Sequence, residues 1–257
     1  MRKSLTGLVA VGMALALAAC GSTEETVTNG DVKANMGATI GIAMPTKTST
    51  RWIADGNNMV DQFTDMGYKV NLQYADNNVK TQVAQVQSMI DGGDKLLVIA
   101  AIDGASMDGA LASAAAKKIP VIAYDRLLTG TQNVSYQATF DNFRVGEMQA
   151  QLLIDRLGLS KKAKGPFNVE LFAGSPTDAN AKSFYTGAME LLQPYIDSRK
   201  IIVRSGQTTF GSISTVNYDS KIAGARMKKI LAAQYTSIRV DAVLSPYDAC
   251  RSASSTR

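Results

Sequence analysis

From residue 38 onward, short apolar runs alternate with segments of helical period, and few folds tolerate that rhythm. Ala38–Met44 is apolar, partly β-branched and stopped by Pro45, which predicts a strand. Trp52–Met66 carries apolar residues at helical spacing and ends at Gly67, a common C-terminal cap. Strand Tyr68–Tyr74, helix Val79–Asp91, strand Lys95–Ile102, helix Met107–Lys118 and strands Pro120–Tyr124 and Asn133–Thr139 follow. The rhythm then repeats, with helices over Phe143–Leu157, Ala179–Leu192 and Ser220–Ala233 and strands over Phe167–Phe172, Lys200–Ser205 and Val240–Leu244. Continuous apolar strands alternating with helices imply parallel sheets covered on both faces. The length fits two lobes better than one sheet, with the crossover near Asp141-Asn142. The expected class is therefore α/β, two Rossmann-like lobes with parallel sheets: an N-terminal lobe over 38–141 and a C-terminal lobe over 142–248.

Ahead of that body lies an address. Met1-Arg2-Lys3, an apolar stretch from Leu8 to Ala19 and small residues before Cys20 describe a secretory leader, and the run is short for a membrane span. Leu17-Ala18-Ala19-Cys20 resembles the bacterial lipobox, so residues 1–20 are expected to be a lipoprotein signal peptide with Cys20 lipidated. The alternative is an ordinary signal peptide that happens to contain a cysteine. Residues 21–37 are mostly polar and predict a flexible linker holding the body at a membrane surface, on the extracytoplasmic side.

Composition narrows the chemistry. Histidine is absent from all 257 residues, which removes Ser-His and Cys-His nucleophilic sites and most zinc sites. The net charge of +5 falls to +3 without Arg2 and Lys3, and no basic run invites nucleic acid. No GxGxxG or GxxxxGK[ST] follows a strand, so no phosphate cradle is expected, and no cofactor or metal.

In open α/β sheets, ligands bind outside the carboxyl ends of the strands. Those ends carry residues 45–52, Asp76-Asn77, Asp103, Asp125-Arg126, residues 174–180, Gln207 and residues 246–248. Asp125-Arg126 offers an acceptor beside a forked donor, and Trp52 a flat surface beside Arg51. Each has a plainer reading: Trp52 as a packing residue, Asp125-Arg126 as an ion pair or cap, Asp178 as a helix cap. Tyr136 and Phe140 are expected in the core or at a hinge. These residues imply a two-lobed binding protein with a polar cleft, and do not name its ligand.

Several segments go further. Residues 40–46, 51–56, 98–104 and 121–126, with Gly174-Ser175-Pro176-Thr177-Asp178-Ala179-Asn180-Ala181, resemble the type I periplasmic sugar-binding proteins of ABC transporters, the multiple-sugar and xylose receptors in particular. The likeness runs from about Ala38 to Asp248. It implies a monosaccharide held between the lobes, gripped by Asp125 and Arg126, lined by Arg51 and Trp52, and met from the second lobe by Asn180 with Asp178. Tyr247 and Asp248 stand where the family adds a further polar contact. The resemblance also implies a monomer that delivers sugar to a membrane permease without catalysis. After Asp248 the sequence departs from the family's glycine, helix and strands, so residues 249–257 are expected to be an aberrant tail. The second lobe is then incomplete, Cys250 has no role, and the chain binds weakly or folds poorly.

Other functions fit the same residues less well or no differently. A sensory module signalling to a membrane receptor would use the same closed lobes, and a truncated, non-functional fragment of such a receptor is the other alternative. A glycosidase needs paired carboxylates, one of them held protonated, whereas Asp125 beside Arg126 suits a permanent acceptor. A repressor would need a DNA-binding helix pair where the export signal stands.

Overall fold

The computed structural model describes residues 36–161 and 163–248. The leader, Cys20, most of the linker, and the tail with Cys250 lie outside the described residues.

Five parallel strands form the first sheet: β1 (Thr39–Met44), β2 (Lys69–Tyr74), β3 (Leu96–Ile99), β4 (Val121–Tyr124) and β5 (Tyr136–Ala138). Their order is β2-β1-β3-β4-β5, so the winding reverses between β1 and β3, and a crevice opens beyond their carboxyl ends. On one face Ile40, Ile42 and Met44 are buried against helix α1 (Thr50–Asp65), which contributes Trp52 to the same cluster. On the other, Leu97, Ile99 and Val121 meet α2 (Val79–Gly92) and α3 (Asp108–Ala116). Helix α2 starts where the Asn78 side chain accepts from the Thr81 amide at 3.0 Å, and ends on Gly93 at φ 85°.

A three-stranded parallel sheet follows, β6 (Phe167–Leu171), β7 (Ile201–Ile202) and β8 (Ala242–Leu244), in the order β7-β6-β8. Helices α4 (Asn142–Arg156), α5 (Ala179–Asp197), the short α6 (Phe210–Ile213) and α7 (Ser220–Gln234) complete this half. Helices α4 and α5 cross closely because each brings a glycine to the contact. A Cβ on Gly146 would overlap the Phe184 carbonyl, and one on Gly187 the Phe143 carbonyl.

Several expectations need correction, strand lengths among them, since β3 and β5 are four and three residues long rather than eight and seven. Helix α5 runs past Leu192 to Asp197, because Pro194 lies in its last turn, where the missing N–H forfeits a single bond. Strand β7 is two residues long rather than six: Arg204 Nε donates to Asn168 Oδ1 (2.7 Å) and the Ser205 amide to Glu170 Oε1 (3.1 Å), so β6 side chains replace the backbone ladder. Tyr136 and Phe140 are not buried. They are 69% and 74% exposed, on and just after the edge strand β5. Among the described residues no helix is long and apolar enough to cross a membrane, and no cluster of side chains is placed to hold a metal ion.

Asp94 stands apart from the cleft, 4% exposed at the start of β3, with Asn71 Nδ2 donating to its Oδ2 at 3.1 Å. Burial raises its carboxyl pKa above the ordinary aspartate value, against the lowering effect of that bond. A raised folded-state pKa contributes stability that is present below the unfolded value and lost as pH rises through the folded one. Asp94→Asn, which keeps the acceptor for Asn71, is therefore expected to melt higher than wild type at pH 7. The gain should vanish at pH 3, and equal shifts at both pH values in a melting series would contradict this origin.

Candidate ligand-binding cleft

The carboxyl ends of the two sheets face a shared cavity of about 500 Å³, within the range of small-molecule sites. From the first sheet, Thr46, Thr48, Ser49, Arg51 and Trp52 follow β1, and Asp125 and Arg126 follow β4. From the second come Asp178 and Asn180 after β6, Asn217 to Lys221 at the start of α7, and Pro246-Tyr247 after β8. Seven of the eight predicted residues thus line one space. Asp248 is exposed and is not among the lining residues.

Asp125 and Arg126 do not pair with each other. Asp125 takes φ 60°, a left-handed conformation that aspartate tolerates, which sets the two side chains on different partners. Its carboxylate accepts from Arg51 Nη2 at 2.7 Å, and Arg51 Nε also reaches Asp55 at 3.2 Å. Burial alone would lower the Arg51 pKa, but Asp125 and Asp55 outweigh it and raise it, so the guanidinium stays charged. The Asp125 carbonyl accepts from Thr139 Oγ1 and Asn180 Nδ2, both at 2.7 Å.

Arg126 is buried. Its Nη1 donates to the Ala101 carbonyl at 3.0 Å, and its Nε lies 3.4 Å from Asp178 Oδ2. Asp178 does cap α5, accepting from the Asn180 amide at 3.0 Å, yet it also meets Arg126 and accepts from Tyr218 Oη at 2.8 Å. The cap reading therefore holds, and the same carboxylate also lines the cavity. Trp52 likewise packs in the core at 6% exposure while carrying the Arg51 and Arg126 guanidiniums over its ring, at 4.6 and 5.3 Å from the centroid.

Several contributors carry no local signal in the sequence. Gln82, on α2, is fully buried; its Nε2 donates to the Ala100 carbonyl (2.9 Å) and its Oε1 accepts from the Ile102 amide (2.8 Å). That bridge fixes the loop whose Ala101 carbonyl orients Arg126. Phe184 lies one turn beyond Asn180 on α5 and adds an apolar wall. Tyr218 sits in a left-handed pair with Asn217 (φ 54° and 53°), a turn with no hydrophobic period to announce it. Burial, then the Asp178 charge, pushes its hydroxyl pKa well up, so it remains a donor. Across the cleft, Thr177 Oγ1 donates to the Ile102 carbonyl at 3.1 Å, and the Ser49 and Tyr247 hydroxyls meet at 2.9 Å.

Residues 40–253 match the family described as the periplasmic binding protein domain. This chain belongs to that family. It is 56% identical over 210 residues to the multiple sugar-binding periplasmic protein SbpA of Azospirillum brasilense, a match covering 82% of this chain and 58% of that protein. With the multiple sugar-binding periplasmic receptor ChvE of Rhizobium radiobacter it shares 50% over 245 residues, covering 95% of this chain and 66% of that one. The chain therefore spans just under two thirds, or less, of the length of these two relatives. Among solved structures it is similar to an ABC transporter solute binding protein from Clostridium phytofermentans with bound β-D-glucose. That match has a TM-score of 0.82 and 47% identity, over 84% of this chain and 67% of the other. The type I binding-protein fold implied by the sequence resemblance is the fold observed.

Proposed function

We propose that this chain is an extracytoplasmic solute receptor that captures a monosaccharide between an N-terminal lobe (38–141) and a C-terminal lobe (142–248). The observation that carries this reading is the pairing of sites at two sheet switch points around one polar cavity. Asp125, Asp178 and Asn180 supply acceptors, Arg51, Arg126 and Asn180 supply donors, and Phe184, Tyr218 and Tyr247 supply ring surfaces. A sugar needs this mixture, since each hydroxyl both donates and accepts while the ring carbons present an apolar face. Asn180 Oδ1 is buried without a hydrogen-bond partner, an acceptor suited to a ligand hydroxyl. The names of SbpA and ChvE and the glucose in the Clostridium phytofermentans protein support the same ligand class.

The role needs no chemistry on the sugar. Binding energy goes into closing the lobes, and the closed form docks on an ABC transporter permease. A leader over 1–20, lipidation at Cys20 and a linker over 21–37 would tether the receptor to the membrane it serves.

Titration calorimetry with D-glucose and D-xylose tests the reading, with glycerol as control. Saturable binding of at least one sugar is expected. Asn180→Ala should weaken it about 10- to 100-fold, the cost of a lost buried polar partner. No heat with either sugar from a folded chain would refute the assignment.

A further inference from the structure

Arg126 comes from the first sheet, yet two of its contacts lie on the second half. Its guanidinium stands 5.3 Å from the Trp52 ring centroid on its own side and 5.5 Å from the Tyr218 ring centroid on the other. Asp178, also on the far side, faces its Nε. Tyr218 is held for this task from below and beside. A Cβ on Gly174 would overlap the tyrosine ring, so only glycine lets the ring lie against the backbone there. Tyr247 packs edge-on at 5.9 Å between ring centroids. The consecutive left-handed residues Asn217 and Tyr218 carry strain of the kind that persists where surroundings enforce it. The Asn217 amide donates to Ser175 Oγ at 3.3 Å, and the Tyr218 amide to the Thr215 carbonyl at 3.0 Å, which pins the turn.

We propose that Tyr218 is a positioning residue that sets the closing equilibrium of the cleft, its ring docking the Arg126 guanidinium that Trp52 presents from the opposite half. The proposal rests on the reading of the cleft as the binding site. It goes beyond that reading by assigning part of the closing energy to a protein–protein clasp that forms whether or not sugar is bound. Ring and hydroxyl have separable duties. The ring acts across the cleft. The hydroxyl bonds Asp178 Oδ2 within one half; the same oxygen faces Arg126 Nε, so removing the hydroxyl leaves that ion pair in place and does not weaken the contact across the cleft.

The test measures distance between labels on Asn57→Cys and Lys228→Cys, in a full chain with Cys20→Ser and Cys250→Ser, in sugar-free buffer. Wild type at position 218 should populate a short-distance form. Tyr218→Leu should lower the closed-to-open ratio by about 3- to 30-fold, the range for losing one cation–π contact. Tyr218→Phe should keep the ratio within about twofold while melting lower, because Asp178 loses a donor. A merely structural tyrosine would not split the two readouts this way. In an Arg126→Met background, Tyr218→Leu should open the chain no further. The proposal is overturned by an unchanged distance in Tyr218→Leu, by equal opening with and without Arg126, or by a parent showing no short-distance form. Calorimetry on the parent reports separately on sugar binding, so failure of the clasp and failure of the binding reading are distinct results.

Discussion

Arg126→Ala is expected to destabilise the chain by about 3–5 kcal/mol, the range for breaking one side of a buried ion pair. The Arg126 and Asp178 side chains are 9% and 4% exposed, so neither charge is well solvated. With the guanidinium gone, the Asp178 carboxylate keeps only the Tyr218 hydroxyl and the Asn180 amide as hydrogen-bond donors. The Ala101 carbonyl loses the donor that now reaches it. For a domain of this size the melting temperature should fall by roughly 6–20 °C. Sugar binding should become undetectable, since both faces of the cleft lose a buried contact that they share. The double variant Arg126→Met with Asp178→Asn separates charge from packing. Asparagine keeps the helix cap and an acceptor for Tyr218 but carries no buried charge, so most of the stability should return without the binding. An Arg126→Ala chain melting within about 2 °C of wild type would show that the pair carries no structural energy.

Much of this site was legible in the sequence, for a local reason. Parallel strands deliver the residues just beyond their carboxyl ends to one edge, so locating β1, β4, β6 and β8 already gathers Arg51, Asp125, Asn180 and Tyr247. Pro45 marks the end of β1 and Gly67 the end of α1, because each acts on its own backbone. Partner choice was not legible. Asp125 turns to Arg51 rather than to its neighbour Arg126, a consequence of a left-handed backbone and of how the loops after β1 and β4 come together. Tyr218 reaches Asp178 across 40 positions from a turn without periodicity, so only the fold brings them together. Tyr136 and Phe140 mislead in the opposite direction: their apolar character suggests burial, but they lie on and just beyond the edge strand.

Gly187→Ala should reverse the usual sign of a glycine-to-alanine change in a helix. Alanine is ordinarily favoured by about 1 kcal/mol in a helix interior. At Gly187 the new methyl would meet the Phe143 carbonyl on α4, and backbone cannot rotate away as a flexible side chain can. Overpacking against backbone belongs to the upper part of the usual range of about 1–3 kcal/mol, so after the helix gain of about 1 kcal/mol the net should be a loss of about 1–2 kcal/mol. Melting should fall by about 2–8 °C. The damage should reach the cleft as well, because α5 carries Asn180 and Phe184 and its seat against α4 sets where they point. Gly109, in the exposed first turn of α3, is the matched control, since a Cβ there meets nothing within 4 Å. Gly109→Ala should leave sugar affinity alone and raise stability by up to about 1 kcal/mol. The two substitutions therefore move melting in opposite directions for one chemical change. A rise at Gly187 would mean that α4 and α5 have room to spare, and that the crossing does not hold the second half of the site in place.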